Sequence, residues 1–401
     1  MKVQLPIYLD HHATTPLAPR VLEAMRPYWS QHFGNASSSS HAFGWRAEAA
    51  AEDARERLAA AIGAAEPREI VFTSGTTESD NLALKGVLRA ARSGLDHLVT
   101  TQIEHPAVLD SCRVLEREGV AVTTVPVGSD GLVDPDAVAA AIGDRTALVS
   151  VMLANSEIGV IQPLAEIGRI CRERGVLLHS DAAQAVGKLP VDVDALGVDL
   201  LSFCGHKLYG PKGVGALYVR THWPRLRLQP LLDGGGHERG LRSGTLPVPL
   251  LVGFATAVEC CLEDLDTEAQ RLRTLRDRLW EVLSAELDDV FVNGHPERRL
   301  PGNLNVSFGA VEADLLLLAL SDVALSTGSA CASGSTAPSH VLAALGLSQQ
   351  RIRGAVRFGL GRSNTAEEID WVAERLVAWV REARGKQRAA AIRPAPPPSR
   401  T

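Results

Sequence analysis

Short apolar runs alternate with amphipathic stretches through the first 220 residues of the chain. The apolar segments REIVFTS, HLVTT, TALVSVML, GVLLHSDA and VDLLSFCG predict buried strands. Stretches with apolar residues three and four apart follow them, at 76–92, 107–118 and 164–174, and predict helices. Buried strands between helices predict an α/β fold with a mostly parallel sheet. Such sheets bind ligands beyond the C-terminal ends of their strands.

The pattern changes after about residue 264. A long charged helix is predicted over 267–287, and a second α/β set follows it. The last helix is predicted from Thr365 to Ala383, with Thr365 and Glu368 in the arrangement of a capping box. Residues 386–401 are rich in Pro, Ala and Arg, and we expect them to be disordered.

Composition narrows the functional classes. The net charge of -6 gives no sign of nucleic acid or an anionic membrane as a partner, and no apolar run reaches the roughly 20 residues that span a bilayer. The N-terminus shows no signal-peptide pattern. Six cysteines contain no CxxC pair and no zinc-type Cys/His spacing, so we expect free thiols in a reducing, cytoplasmic setting and no resident metal.

Chemically suggestive residues stand at the ends of predicted strands. A Ser-Gly-Thr-Thr turn at 74–77 opens a helix, whose free N–H groups favour a phosphate. Asp181 and Lys207 each end a later strand, and His105 follows another. Each alone has an ordinary explanation, such as a helix cap or a loop lysine. Together, a phosphate cradle, a carboxylate for a ring nitrogen and a desolvated lysine for a Schiff base match the needs of pyridoxal phosphate.

Eleven segments, in order from about residue 7 to residue 370, resemble the class V aminotransferase family of fold type I, and closely its cysteine desulfurases of the bacterial IscS/NifS type. They are YLDHHATTP, FGNASSSSHAFGW, IVFTSGTTESDNLA, IEHPAVLD, NSEIGVIQP, DAAQAVGKLP, SFCGHKLYGPKGVGALYV, GGGHERGLRSGTLP, NVSF, STGSACASG and VRFGLGR. With this resemblance we expect a large cofactor-binding domain over 16–264. A smaller α/β domain would comprise 1–15 and 265–385 and carry the Cys331 loop, followed by the tail 386–401.

The resemblance implies a cofactor, pyridoxal 5'-phosphate, and roles for the matching residues. Lys207 would carry the cofactor's aldehyde, Asp181 would pair with the pyridine nitrogen and Gln184 with the ring hydroxyl. The phosphate would be held by Thr76, Thr77, Cys204, His206 and, from the second subunit of a homodimer, Thr245. Two positions depart from the family pattern. Ser156 stands where an asparagine that contacts cofactor and substrate is common, and Cys204 stands where a serine is usual.

The resemblance also implies the reaction. L-Cysteine would become L-alanine, with its sulfur held as a persulfide on Cys331 and passed to an acceptor such as an IscU-like scaffold. His105 would stack on the cofactor ring and move protons, while Arg357 and Asn155 would bind the substrate. Small residues around Cys331, from Gly328 to Gly334, would form a hinge for its movement. Cys331 could also hold a nascent iron–sulfur cluster transiently; no direct contact with nucleic acid or a membrane is expected.

Two other interpretations stay open at this point. Another enzyme of the same fold, such as a selenocysteine lyase or an aminotransferase, would need no attacking thiol. A non-catalytic scaffold of the same fold would have no need of Lys207. The destination of the sulfur also stays open, among iron–sulfur clusters, thiolated tRNA, modified DNA and other cofactors.

Overall fold

The structure, a computed structural model, describes residues 3–221, 226–327 and 338–392, without the side chains of 387–392. The helices in these ranges are α1 Pro19–Ser30, α2 Ala42–Ala61, α3 Thr76–Ala90, α4 Pro106–Arg117, α5 Pro135–Ala141, α6 Leu164–Arg174, α7 Val193–Leu196, α8 Val248–Glu263, α9 Leu265–Glu286, α10 Ala313–Ala319, α11 His340–Ala344, α12 Gln349–Arg353 and α13 Ala366–Ile392. The strands are β1 Ile7–Tyr8, β2 Ile70–Thr73, β3 His97–Thr101, β4 Ala121–Val125, β5 Thr146–Ser150, β6 Leu177–Asp181, β7 Leu200–Cys204, β8 Gly215–Val219, β9 Val290–Val292, β10 Asn303–Phe308, β11 Val323–Ala324, β12 Ser326–Thr327 and β13 Ala355–Gly359.

The main sheet has seven strands in the order β2-β8-β7-β6-β5-β3-β4. The pairs from β7 to β4 are parallel, and β8 is antiparallel to both of its neighbours. The prediction of an α/β fold with a mostly parallel sheet is therefore confirmed. Strands such as β5 and β7 are buried along their whole length, which is consistent with their mostly apolar sequences.

A second body is built on an antiparallel sheet of four strands, in the order β12-β13-β10-β9. Its hydrophobic core includes Ile7 and Leu9 from the start of the chain, together with residues from α9, α10 and α13. β1 also pairs with β11. The division into two domains, in which residues 1–15 join 265–385, stays a prediction together with its boundaries.

The last helix extends further than its sequence suggests. The capping box at its start is confirmed, since Glu368 N donates to Thr365 Oγ1 and Thr365 N donates to Glu368 Oε2. α13 runs to Ile392, so the expectation of disorder from residue 386 is wrong for 386–392. The reason is that Lys, Gln, Arg and Ala fill this stretch, all good helix formers, and the first proline comes only at Pro394. Residues 393–401 lie outside the described part.

The length and polarity of the described helices bear on membrane crossing. Within 3–221, 226–327 and 338–392, each helix is too short or too polar to span a bilayer.

Candidate active site

A cavity of about 530 Å³ opens at the C-terminal ends of the parallel strands, where the strand order predicted a ligand site. Its volume lies in the range of small-molecule and cofactor sites. The loops after β2, β3, β5, β6 and β7 all reach it. They bring together nine of the residues predicted from sequence: Thr76, Thr77, His105, Ser156, Asp181, Gln184, Cys204, His206 and Lys207.

The start of α3 forms an anion cradle at one end of this cavity. The first backbone hydrogen bond across this turn runs from Ser79 N to Gly75 O, so the preceding N–H groups at 76–78 have no acceptor within the helix. The hydroxyl of Thr76 is buried and has no hydrogen-bond partner among the described residues. An unpartnered buried hydroxyl beside free backbone donors fits a phosphate group.

The negative charge of the Asp181 carboxylate is only partly balanced by the surrounding groups of the protein. It is the last residue of β6, and its Oδ1 accepts from Ala183 N at 2.9 Å. Burial raises the pKa of Asp181 to about 6, and the negative charge of Asp80 adds to this increase. A positively charged N–H partner would relieve both effects. The carboxylate therefore fits a protonated pyridine nitrogen.

Lys207 follows β7 within a short 3-10 turn, and backbone oxygens hold its amine at the cavity wall. Lys207 Nζ donates to His12 O and to Ala13 O, each at 2.7 Å. Both acceptors belong to the segment that follows β1, about 195 residues earlier in the chain. An amine oriented in this way at the cavity wall can bond with a carbonyl carbon.

His105 has both of the roles that its position in the sequence allows, as a helix cap and as a residue of the cavity. It is the N-cap of α4, where its Nδ1 accepts from Ala107 N at 3.1 Å, and it also lines the cavity. The accepting Nδ1 places the proton of the neutral ring on Nε2. Burial lowers the pKa of His105, although the nearby Asp181 opposes this effect. Nε2 is thus the ring atom left to exchange a proton.

The two departures from the family pattern both lie in the cavity wall. Ser156 presents a short hydroxyl there, and Cys204 presents a buried thiol whose pKa burial raises. Beside Cys204, His206 lies 3.2 Å from the Thr14 hydroxyl through its Nδ1. Burial lowers the pKa of His206 to about 4, so a neutral ring faces the phosphate end.

Three predicted residues do not line the cavity. Asn155 is committed to its own turn, since its Oδ1 accepts from Glu157 N and Ile158 N and its Nδ2 donates to Ile103 O. Thr245 is exposed on the surface. Arg357 is buried, with Nη2 2.7 Å from Asp10 Oδ1 and Nη1 3.2 Å from Ser156 O. Roles of these residues toward ligands stay predictions.

Cys331 and its glycine-rich surroundings, residues 328–337, lie outside the described residues. The residues on either side of this segment are held next to the cavity. Ser326 of β12 pairs with Arg357 of β13. On the other side, Ser339 Oγ donates to Glu157 Oε1 at 2.6 Å, next to Ser156, and His340 Nε2 donates to the backbone oxygen of Glu104, next to His105.

Some site residues were missed by the sequence interpretation. His12 and Lys188 hydrogen bond to Gln184, and Asp10 pairs with Arg357. The available signals were weak: Lys188 follows Gln184 by four residues, and His12 belongs to a doubled histidine. The long-range contacts of His12 with Gln184 and of Asp10 with Arg357 could not be recognised without the fold.

The α/β fold, with an anion cradle, Asp181 and Lys207 around one cavity at the strand ends, is that of a pyridoxal-phosphate-dependent enzyme of fold type I. Residues 7–372 match the family model described as Aminotransferase class-V, and the chain belongs to this family. The cradle of α3, Asp181 and Lys207 fit the family's cofactor.

Named relatives agree with this assignment. The "Cysteine desulfurase IscS" of Anaeromyxobacter dehalogenans (strain 2CP-C) is 56% identical over 92% of this chain and 91% of the relative. The "Cysteine desulfurase" of Homo sapiens is 52% identical over 94% of this chain and 82% of the relative. Among solved structures, a "NIFS-LIKE PROTEIN" superposes with a TM-score of 0.87 at 37% identity, covering 94% of this chain and 99% of its own. A structure titled "SspA in complex with cysteine" has a TM-score of 0.79 at 39% identity, covering 88% and 98%.

Proposed function

We propose that this protein is a pyridoxal-phosphate-dependent cysteine desulfurase, which converts L-cysteine to L-alanine and keeps the sulfur as a persulfide on Cys331. The relatives that carry this name match more than nine-tenths of the chain at over 50% identity. The observation that carries the role of Cys331 is the anchoring of both flanks of its segment beside the cavity, through Ser326, Ser339 and His340.

The reaction balances without a further reagent. The C–S bond of L-cysteine breaks, an S–S bond forms with Cys331, and the proton lost by the Cys331 thiol is matched by one gained at the alanine methyl group. Pyridoxal phosphate, when bound, supplies an electron sink for the amino acid. The α3 cradle would hold the phosphate, Asp181 would hold the ring nitrogen, and His105 Nε2 would exchange a proton with the substrate.

The functional unit is proposed to be a homodimer. Thr245 is exposed in the single chain, although its position resembles one that reaches the phosphate of the other subunit. A group of large aromatic side chains is also exposed between residues 29 and 45, and the rings of Phe33 and Phe43 lie 5.4 Å apart. Exposed apolar groups of this kind mark interaction surfaces. The group consists of Trp29, Phe33, Phe43 and Trp45.

Light scattering of the active enzyme is expected to give twice the chain mass of 42.8 kDa. Thr245→Ala is then expected to weaken cofactor binding without changing this mass, because only the contact with the neighbouring phosphate is lost. An active species of about 43 kDa would contradict the dimer.

The sulfur acceptor is proposed to be a protein thiol, such as that of an IscU-like scaffold in iron–sulfur cluster assembly. The name IscS borne by relatives supports this choice. The five cysteines within the described residues are all unbridged, which agrees with the proposed reducing, cytoplasmic setting.

The purified protein is expected to be yellow, and borohydride reduction followed by peptide mapping should place the cofactor on Lys207. With L-cysteine and a reductant it should form alanine and sulfide in equal amounts. Labelled sulfur should be found on the Cys331 peptide and move to an added scaffold protein. Cofactor on Lys188 or Lys212, which stand nearest in sequence, would overturn the site. Alanine without labelled Cys331 would overturn the persulfide.

A further inference from the structure

Gln184 lines the cavity, and its side-chain amide is bound by the chain in one orientation. Lys188 Nζ lies 2.7 Å from Gln184 Oε1, and Gln184 Nε2 lies 2.9 Å from the backbone oxygen of His12. A carbonyl oxygen only accepts, so the amide nitrogen must face His12 O and the two ends of the amide cannot be exchanged. His12 Nδ1, 3.0 Å from the same Oε1, must then be the donor.

The same network reaches the cofactor lysine. The backbone oxygen of His12 that accepts from Gln184 also accepts from Lys207 Nζ at 2.7 Å. The contacts therefore run from Lys188 through Gln184 and His12 to Lys207. His12 and Gln184 are almost fully buried, and Lys188 lines a second cavity of about 40 Å³ together with His11, His12 and Cys261.

The hydrogen bonds of Gln184 leave one of its donors unused. Its oxygen accepts from both Lys188 and His12, while its nitrogen donates one of two N–H groups to His12 O. Among the described residues, no acceptor is recorded for the second N–H. Because Gln184 lines the cavity, this N–H is available to a ligand there.

We propose that Lys188 is a positioning residue: with His12, it holds the Gln184 oxygen away from the cofactor so that the free N–H donates to the cofactor's ring oxygen. This inference rests on the proposed function only in placing that cofactor in the cavity. The loss of Lys188 would leave Oε1 with one donor instead of two, so the amide would be held less firmly, by its two contacts with His12 alone.

A protonated Lys188 would also favour the deprotonated form of the cofactor's ring oxygen, because a cation stabilises a nearby negative charge. Burial lowers the pKa of Lys188 to about 7, and the positive charges of Lys207 and Arg357 contribute. The other titratable groups that face it are Cys204, Cys261, His11, His12 and His206. A network of donors and positive charge thus surrounds this side of the cavity.

Lys188→Met is expected to weaken cofactor binding about 10-fold, as for the loss of one charge-assisted hydrogen bond. The pH midpoint of the cofactor's absorption change should rise by about half a unit or more, because the ring oxygen loses both support and positive charge. Both quantities are measured on purified protein by spectrophotometric titration. Neither readout depends on desulfuration, so a coloured but inactive protein would contradict the proposed function and leave this inference standing.

Lys85→Met is the matched control. Lys85 Nζ also donates to a side-chain amide four residues earlier, Asn81 Oδ1 at 2.6 Å, but it lies on α3 outside the cavity lining. Its loss should change neither the affinity nor the midpoint. Lys188→Arg, which keeps donor and charge, should stay close to the wild type.

A double-variant comparison tests the route through Gln184. Lys188→Met should have little further effect in a Gln184→Ala background, because the amide that it positions is absent. Additive effects, or a Lys188→Met protein that titrates like the Lys85→Met control, would overturn the proposal. If Lys188→Met fails to fold, Lys188→Gln, which keeps an N–H donor without the charge, is compared in its place with the same expected direction.

Discussion

Cys331→Ser is expected to reduce sulfide release from L-cysteine by at least about 1,000-fold, while the protein stays yellow and its spectrum still changes on addition of cysteine. The reason is that the proposed binding of cofactor and substrate by the α3 cradle, Asp181 and Lys207 does not need this thiol, whereas removal of the sulfur needs a thiolate that attacks it. The measurement compares alanine and sulfide formation with the cofactor spectrum at saturating cysteine.

Cys112→Ala provides the control for a thiol outside the reaction. Cys112 is buried on α4, and burial raises the pKa of its thiol to about 12, so it is not a nucleophile near neutral pH. This variant should keep full turnover if its fold is intact. If Cys331→Ser formed alanine at the normal rate, the protein would instead belong with the lyases or aminotransferases of its fold, which need no attacking thiol.

Arg357→Ala is expected to raise the KM for L-cysteine about 100-fold, which corresponds to roughly 2.7 kcal/mol of lost binding. Arg357 is buried beside the cavity, where Asp10 and the backbone oxygen of Ser156 hold the two ends of its guanidinium group. Its Nε is buried with no partner among the described residues. We propose that the remaining N–H groups of this guanidinium form paired, charge-assisted hydrogen bonds with the substrate carboxylate.

Two further variants separate binding from a general loss of structure. Arg357→Lys should recover little, because a single ammonium group does not replace the fork. Arg353→Ala removes an exposed arginine four residues earlier and should leave KM unchanged. Thermal unfolding of each variant checks the fold, since loss of Arg357 leaves Asp10 without its partner. A folded Arg357→Ala enzyme with a KM near that of the wild type would show that another group binds the carboxylate.

The location of the site followed from the sequence because it depends on local patterns and one geometric rule. Each strand could be recognised as a short apolar run, and Asp181, Lys207 and the turn before Thr76 each stand directly after such a run. Parallel strands place their C-terminal ends at one edge of the sheet. The sequence therefore predicts that residues more than 100 positions apart, such as Thr76 and Lys207, lie close together at this edge.

The start of the last helix is also predictable from the sequence, because a capping box involves residues that are close together in the chain. Thr365 and Glu368 form the capping box that their spacing indicates. The end of the same helix is not predicted correctly. The composition after residue 386 indicates disorder, although most residues from 386 to 392 individually favour a helix. The prediction of disorder gives more weight to the prolines further along the chain than to the helix propensity of residues 386–392.

By itself, the sequence determined the α/β class, the strand ends that carry the chemistry, and the family to which the chain belongs, since all three depend on ordered local patterns. Only the tertiary structure decided which side chains orient the site. Gln184 meets His12 across 172 positions, and Arg357 meets Asp10 across 347. No periodicity or spacing encodes such contacts, because they depend on how segments far apart in sequence, such as the one after β1 and β13, pack together beside the main sheet. Tertiary contacts also hold Asn155, whose Nδ2 donates to Ile103 O across 52 positions.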